Sequence, residues 1–132
     1  MSGGLRALIE TRANGRCEYC MAPVAICAYT FHIEHCIPRS AGGSSDASNL
    51  ALACAACNLR KSTHTSALDP ETNNKVALFH PVKEKWANHF QLKGTLIIGR
   101  TSTGRATAAF LQLNSPRRRA ARAAWLATGL WP

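Results

Sequence analysis

The chain has 132 residues, 46% of them apolar, which suffices for one small domain and leaves little for a second independent core. Its 16 Lys and Arg against 7 Asp and Glu give a formal net charge of +9, which points to an anionic polymer, nucleic acid first, or else to an indifferent basic surface. No run approaches the ~20 apolar residues of a membrane span, and MSGGLRALIETRANGRC lacks the apolar core of a secretory signal, so the expectation is a soluble, cytoplasmic protein with no membrane partner.

Leu5, Leu8 and Ile9 at helical spacing before the turn signal Asn14-Gly15 predict an amphipathic helix over 4–13. The first cysteine pair follows directly. Short strands are expected over 29–34 and 50–53, separated by the Gly/Ser-rich loop 39–48, with a helix beginning near Ala55 that carries Asn58 through Thr63. Further on, LDPETNN reads as a turn, Phe79-His80-Pro81 as a strand end, KEKWANHF as a helical segment, and LKGTLIIGR as a hairpin arm turning at Lys93-Gly94. Ser115-Pro116 is a helix-start signal for PRRRAARAAWLATG, with Gly129 at the stop. No repeat, low-complexity tract or linker divides the chain.

Cys17-Glu-Tyr-Cys20 and Cys54-Ala-Ala-Cys57 are paired Cys-x-x-C knuckles, each able to present two thiolates to one side of a tetrahedral ion. Redox pairs, disulfides or chance are the competing readings, but two copies in a chain without a secretion signal favour one structural Zn²⁺ that clamps the strand-loop-strand unit. Such a site is closed and does no chemistry. Cys27 and Cys36 have no partner motif and read as small buried hydrophobes.

Between and around those knuckles stand EHCIPRSAGG, from Glu34, and NLALACAACNLRK, from Asn49. These segments resemble the HNH endonucleases of the zinc-bearing, McrA-like kind, and GRCEYC upstream with DPET, LFHP, WANHF and GRAT downstream extend the likeness to small bacterial HNH proteins. The resemblance implies an α+β fold: one small domain over 1–132, with a ββα-metal (His-Me finger) core stapled by the four-cysteine zinc site over about 14–64 and a helical and hairpin extension over about 65–132. It also implies a DNA endonuclease acting on double-stranded DNA. His35 then matches the general base, Glu34 and Asn58 the ligands of a catalytic divalent ion, and Asn49 the central asparagine that orders the loop around the base. Glu at 34 departs from the Asp or His of better-known members, and Cys36 stands where an aliphatic residue is usual.

The chemistry explains why such residues are needed. A phosphodiester repels hydroxide and has a poor leaving group, so a cation must neutralise developing charge while a neutral imidazole takes a proton from water. Oxygen ligands with open positions point to Mg²⁺ or Mn²⁺. Adjacent strand residues face opposite ways, which suits the division of labour that the resemblance implies, with Glu34 on the ion and His35 on water; His32 shares the parity of Glu34 and is either a third ligand or a strand histidine satisfied by hydrogen bonds. Arg39 and Lys61 flank the site and read as phosphate contacts, with solvated surface charge as the alternative. Arg117, Arg118, Arg119 and Arg122 form a helical run that either grips a duplex backbone or is a solvated face. Asn49 as a mere turn former is also open. Trp86, His89 and Phe90 read as a core stripe. The rival functions are a catalytically silent zinc-bearing nucleic-acid-binding module and a phage or mobile-element accessory protein.

Overall fold

Residues Gly3–Ala13 form helix α1 in a computed structural model of the protein, which describes residues 3–132. The helix buries Ile9 and Ala13, one turn apart, while Leu8 lies on the outer face at 57% exposure. Left-handed backbone at Asn14 (φ 54°) and Gly15 (φ 70°) ends it and turns the chain into the first knuckle. Arg12 ties the helix down: Nη2 meets Glu18 Oε1 at 2.8 Å and Leu50 O at 2.6 Å, and Nη1 meets Ala47 O at 2.8 Å.

Strand β1 (His32–His35) pairs antiparallel with β2 (Leu50–Ala53), placing Glu34 opposite Ala51 and His35 opposite Leu50. All of β2 is buried, as its unbroken small and aliphatic run requires. The chain then enters helix α2 (Ala55–Lys61), capped by Cys54, whose side chain accepts from Cys57 N. The expected order of strand, loop, strand and helix is borne out. The intervening loop is built from single 3-10 turns at Arg39–Ala41 and Ala47–Asn49.

These elements belong to the first of two compact units, which runs through Thr65 and includes His80–Lys83; the second comprises Ser66–Phe79 and Glu84–Pro132. Both contain helix and strand, so the class is α+β as expected. The first unit holds the expected ββα core. The second holds the remaining strands and helices, while His80–Lys83, expected in the extension, belong to the first.

In the second unit β3 (Ser66–Leu68) and β4 (Lys75–Ala77) pair antiparallel around the expected DPET turn. Helix α3 (Trp86–His89) is a single turn, shorter than the segment KEKWANHF suggested, because Phe90 already enters strand β5 (Phe90–Lys93). β5 pairs with β6 (Leu96–Gly99) in the expected hairpin. Phe79-His80-Pro81 is not a strand end; β4 stops at Ala77.

Helix α4 (Ser102–Phe110) was not foreseen from the sequence, since Gly104 and two threonines weaken its helical signal. Gly104 is there because the helix packs tightly: a Cβ on it would run into the His89 carbonyl oxygen. Thr101 caps the helix and accepts from Gly104 N at 3.0 Å. Helix α5 (Pro116–Ala127) begins where expected, with Ser115 accepting from Arg118 N at 3.4 Å.

Phe79 and Phe90 meet edge to face at 5.2 Å between ring centres, Trp86 packs against Phe90 at 5.0 Å with its ring tilted by 35°, and Ile97, Leu111 and Leu113 are fully buried. His89 bonds Thr101 Oγ1 at 2.7 Å and Glu84 Oε2 at 3.0 Å, in keeping with a packed stripe and not with chemistry. Among the described residues, no helix is long and apolar enough to cross a membrane.

Candidate active site

Cys17, Cys20, Cys54 and Cys57 are all buried, and their sulfurs lie within 4.8 Å of one another. Each pair folds as a knuckle: Cys20 N lies 3.5 Å from Cys17 Sγ, and Cys57 N lies 3.5 Å from Cys54 Sγ. Met21 supplies the left-handed step (φ 66°) that lets the first knuckle return, and the chain closes beside it as Arg16 pairs with Pro23.

Tetrahedral Zn²⁺ with Zn–S bonds near 2.3 Å needs sulfurs about 3.8 Å apart. The Cys20 and Cys54 sulfurs are 3.7 Å apart, so the cluster fits a structural zinc. Burial raises the Cys17 thiol well above its usual range, which a bound cation reverses by taking thiolate in place of thiol. Cys36 stays outside the cluster; burial, reinforced by the charge of Glu34, pushes its thiol up to about 12 and leaves it an inert hydrophobe. Cys27 is half-buried and donates to Pro23 O at 3.3 Å.

Beside the cluster, Glu34, His35, Arg39 and Asn58 line one open hollow, with Ser40, Ser62 and Thr63 adding hydroxyls. The first two come from the end of β1, Arg39 from the following turn, and Asn58 from α2. Strand parity alone would have separated Glu34 from His35. Both reach the hollow because β1 ends at His35, where the chain begins its turn through Pro38. His32, in spite of sharing the parity of Glu34, is exposed at the open start of the strand and is not among the lining residues. Ser62 stands at the end of α2 with φ 49°, an unfavoured value for a residue with a side chain, at the rim of the hollow.

Asn49 is buried and fastens the loop. Its Oδ1 accepts from Ile37 N at 2.9 Å, and its Nδ2 donates to Ile37 O at 2.9 Å and to Ser44 O at 2.7 Å. A turn former would need no such set, so the ordering reading of this residue fits its geometry. Gly43 completes the closure: a Cβ there would strike the Ile37 carbonyl and come within 2.9 Å of Asn49 Nδ2.

Lys61 requires a correction. Its side chain is 2% exposed, and Nζ lies 3.1 Å from Glu34 Oε2 and 3.1 Å from His35 O, so it is neither a surface charge nor open to a phosphate. An ammonium at the end of a helix that packs on β1 finds its partners inside, where a bare lysine could not remain charged. Tyr19, from the first knuckle, donates to the other Glu34 oxygen.

Burial is the larger effect and holds the Glu34 carboxyl above its usual range, although the charge of Lys61 and the hydrogen bonds from Tyr19 and Lys61 pull it back down. Burial and the Glu34 charge hold Tyr19 well above its usual range, so it remains a donor. A carboxylate has about four acceptor sites, so these partners leave lone pairs on Glu34. With the amide oxygen of Asn58, that is a donor set suited to a hard, water-rich ion.

Arg122 is the second correction. It is 2% exposed, with Nε on Thr95 O at 2.7 Å, Nη2 on Leu113 O at 2.5 Å and its guanidinium over the Trp131 ring at 5.7 Å. It holds the second unit together from within and is not a surface charge. Arg118 is half-buried and donates to Leu111 O at 2.9 Å, whereas Arg117 and Arg119 are exposed, Arg119 also reaching Thr95 Oγ1 at 3.1 Å.

Sequence reasoning overlooked Tyr19 and Ser45. The only signal for Tyr19 was an aromatic residue inside a knuckle, where solvent-facing residues are usual. Ser45 sits 3.0 Å from His35 Nε2 by its Oγ, and nothing in its local sequence marks it.

Residues 17–64 match a family model described as HNH endonuclease, the family that the motif resembles. No curated protein and no solved structure gives a significant match to the chain.

Proposed function

With residues 17–64 forming an HNH endonuclease domain, we propose that the protein is a metal-dependent endonuclease that hydrolyses phosphodiester bonds of double-stranded DNA. The observation that carries this reading is the convergence of Glu34, His35, Arg39 and Asn58 on one open hollow. Simple binding requires no such set.

Glu34 and Asn58 would hold Mg²⁺ or Mn²⁺, which supplies charge neutralisation at the scissile phosphate when bound. His35 accepts the proton of a water in line with the phosphorus. Arg39, exposed on the lip, grips a non-bridging oxygen with its fork. Lys61 and Tyr19 favour the ionised form of Glu34 against its burial and aim its oxygens. Asn49 holds the loop that covers His35. From the family likeness, the ends are 5′-phosphate and 3′-hydroxyl. Arg117 and Arg119 add affinity for the backbone without reading sequence.

One observation favours a second reading. The carboxylate of Glu34 already has an ammonium at 3.1 Å, which suits a silent zinc module whose charge is settled internally. A plasmid-nicking assay with added Mg²⁺ or Mn²⁺ and an EDTA control separates the two. Nicking that EDTA abolishes supports the nuclease; DNA binding without nicking under both ions supports the silent module.

A further inference from the structure

We propose that Ser45 is a positioning residue for His35, accepting the Nε2–H of the imidazole and so leaving the Nδ1 lone pair to meet water. This rests on the nuclease reading for its catalytic consequence and for the direction of the hydrogen bond, though not for the contact itself.

A neutral imidazole carries one proton, and only its bare nitrogen can serve as a base. Ser45 Oγ lies 3.0 Å from His35 Nε2, so that nitrogen is engaged and Nδ1 is the one left open. A hydroxyl can donate or accept. If it donated, Nδ1 would hold the proton and His35 could take nothing from water. If it accepts, the bond persists when Nδ1 gains its proton, because both nitrogens of the imidazolium are donors. Water loses a proton, Nδ1 gains it, and the ring keeps its place throughout.

Both backbones are fixed, which makes the contact more than a passing one. His35 is paired in β1 with Leu50, and its carbonyl receives Lys61 Nζ at 3.1 Å. On the other side, Asn49 Nδ2 holds Ser44 O at 2.7 Å, immediately before Ser45, and Gly43 N bonds Pro38 O at 3.0 Å. The neighbouring hydroxyl is already used: Ser44 Oγ accepts from Asp46 N at 3.3 Å in a local turn. Of the two adjacent serines, Ser45 alone addresses the imidazole. Asn49 therefore reaches His35 through the loop it fastens.

The test compares wild type, Ser45→Ala and Ser45→Thr by ring ¹⁵N chemical shifts of neutral His35 and by nicking kinetics. In wild type and Ser45→Thr the shifts should report a single Nε2–H tautomer, and in Ser45→Ala a mixture. Turnover should fall on the order of tenfold in Ser45→Ala at unchanged KM, and Ser45→Thr should restore it. Ser45 is exposed, so the alanine variant should fold, and its zinc content checks this. Identical tautomers in wild type and Ser45→Ala overturn the proposal, as does an Nδ1–H tautomer in wild type. Equal turnover of the two removes the catalytic role of Ser45 and leaves the nuclease reading standing, whereas a wild-type protein that never nicks removes the nuclease reading while the shifts still decide the hydrogen bond.

Discussion

Lys61 Nζ lies 3.1 Å from Glu34 Oε2, and the two side chains are 2% and 6% exposed. Neither charge could stay there alone, since removing one partner of a buried pair costs about 3–5 kcal/mol. Lys61→Met should therefore destabilise the protein by about that amount, and adding Glu34→Gln to it should recover part of the loss. Urea unfolding of the single and double variants measures both. Equal destabilisation by the two would mean that charge pairing is not what Lys61 contributes.

Zinc removal is the second expectation. Purified protein should contain about one zinc per chain, and chelation should unfold the first unit, because the metal's binding energy is part of its folding energy. Elemental analysis and circular dichroism before and after chelation are the measurements. Cys54→Ser should give the same result without chelator, since Cys54 both joins the cluster and caps α2.

His35→Ala should lower nicking by about 10²–10⁴-fold, the usual contribution of a general base, while zinc content and folding stay as in wild type. Glu34→Ala should behave differently. It weakens the hold on the catalytic ion and frees Lys61, so excess Mn²⁺ should restore some activity and the unfolding midpoint should drop. Wild-type turnover by His35→Ala at saturating metal would falsify the assignment of the base.

The arginines of α5 should divide in two. Charge reversal at Arg117 and Arg119 should weaken DNA binding across all sequences and flatten its dependence on salt, because fewer counterions are released. Arg122→Met should instead destabilise the second unit by on the order of 3 kcal/mol, as it strips charged hydrogen bonds from buried carbonyls. A binding titration at several salt concentrations, run beside thermal unfolding, distinguishes the two kinds of effect.

Asp69 should shape acid stability. It is fully buried, and the Arg105 fork, at 3.0 Å and 2.8 Å, holds its carboxyl well below the usual carboxylate range. A depressed folded-state value stabilises above the unfolded value of about 4 and is lost as pH falls below it. Asp69→Asn should thus lower stability at neutral pH and flatten the decline in acid. Unfolding midpoints across acidic pH test this.

Patterns that act at short range were legible in the sequence. Paired cysteines at knuckle spacing, a Gly/Ser loop between apolar runs, and Ser115-Pro116 each announce local structure, and each is realised. What was not legible depends on who meets whom. Lys61 and Arg122 look like surface charge in any window of sequence, and only packing reveals the carbonyls and the carboxylate that draw them in. Strand parity failed for His32 because a four-residue strand at a hairpin's open end buries only part of either face. Helix α4 was hidden by Gly104, a poor helix former whose merit is the space it leaves for His89. Ser45 was hidden by its identical neighbour.

The brevity of α2 fixes an order of assembly. Running only from Ala55 to Lys61, it is well short of the ~12–15 residues at which an isolated helix becomes marginally stable in water. Its first turn is defined by Cys54 and Cys57, so an ion on those thiolates supplies the nucleus that the segment lacks. Asn58 takes its place only on the formed helix. On the nuclease reading, zinc would then load first and the catalytic ion second, since the side chain of Asn58 has no fixed place until α2 has formed.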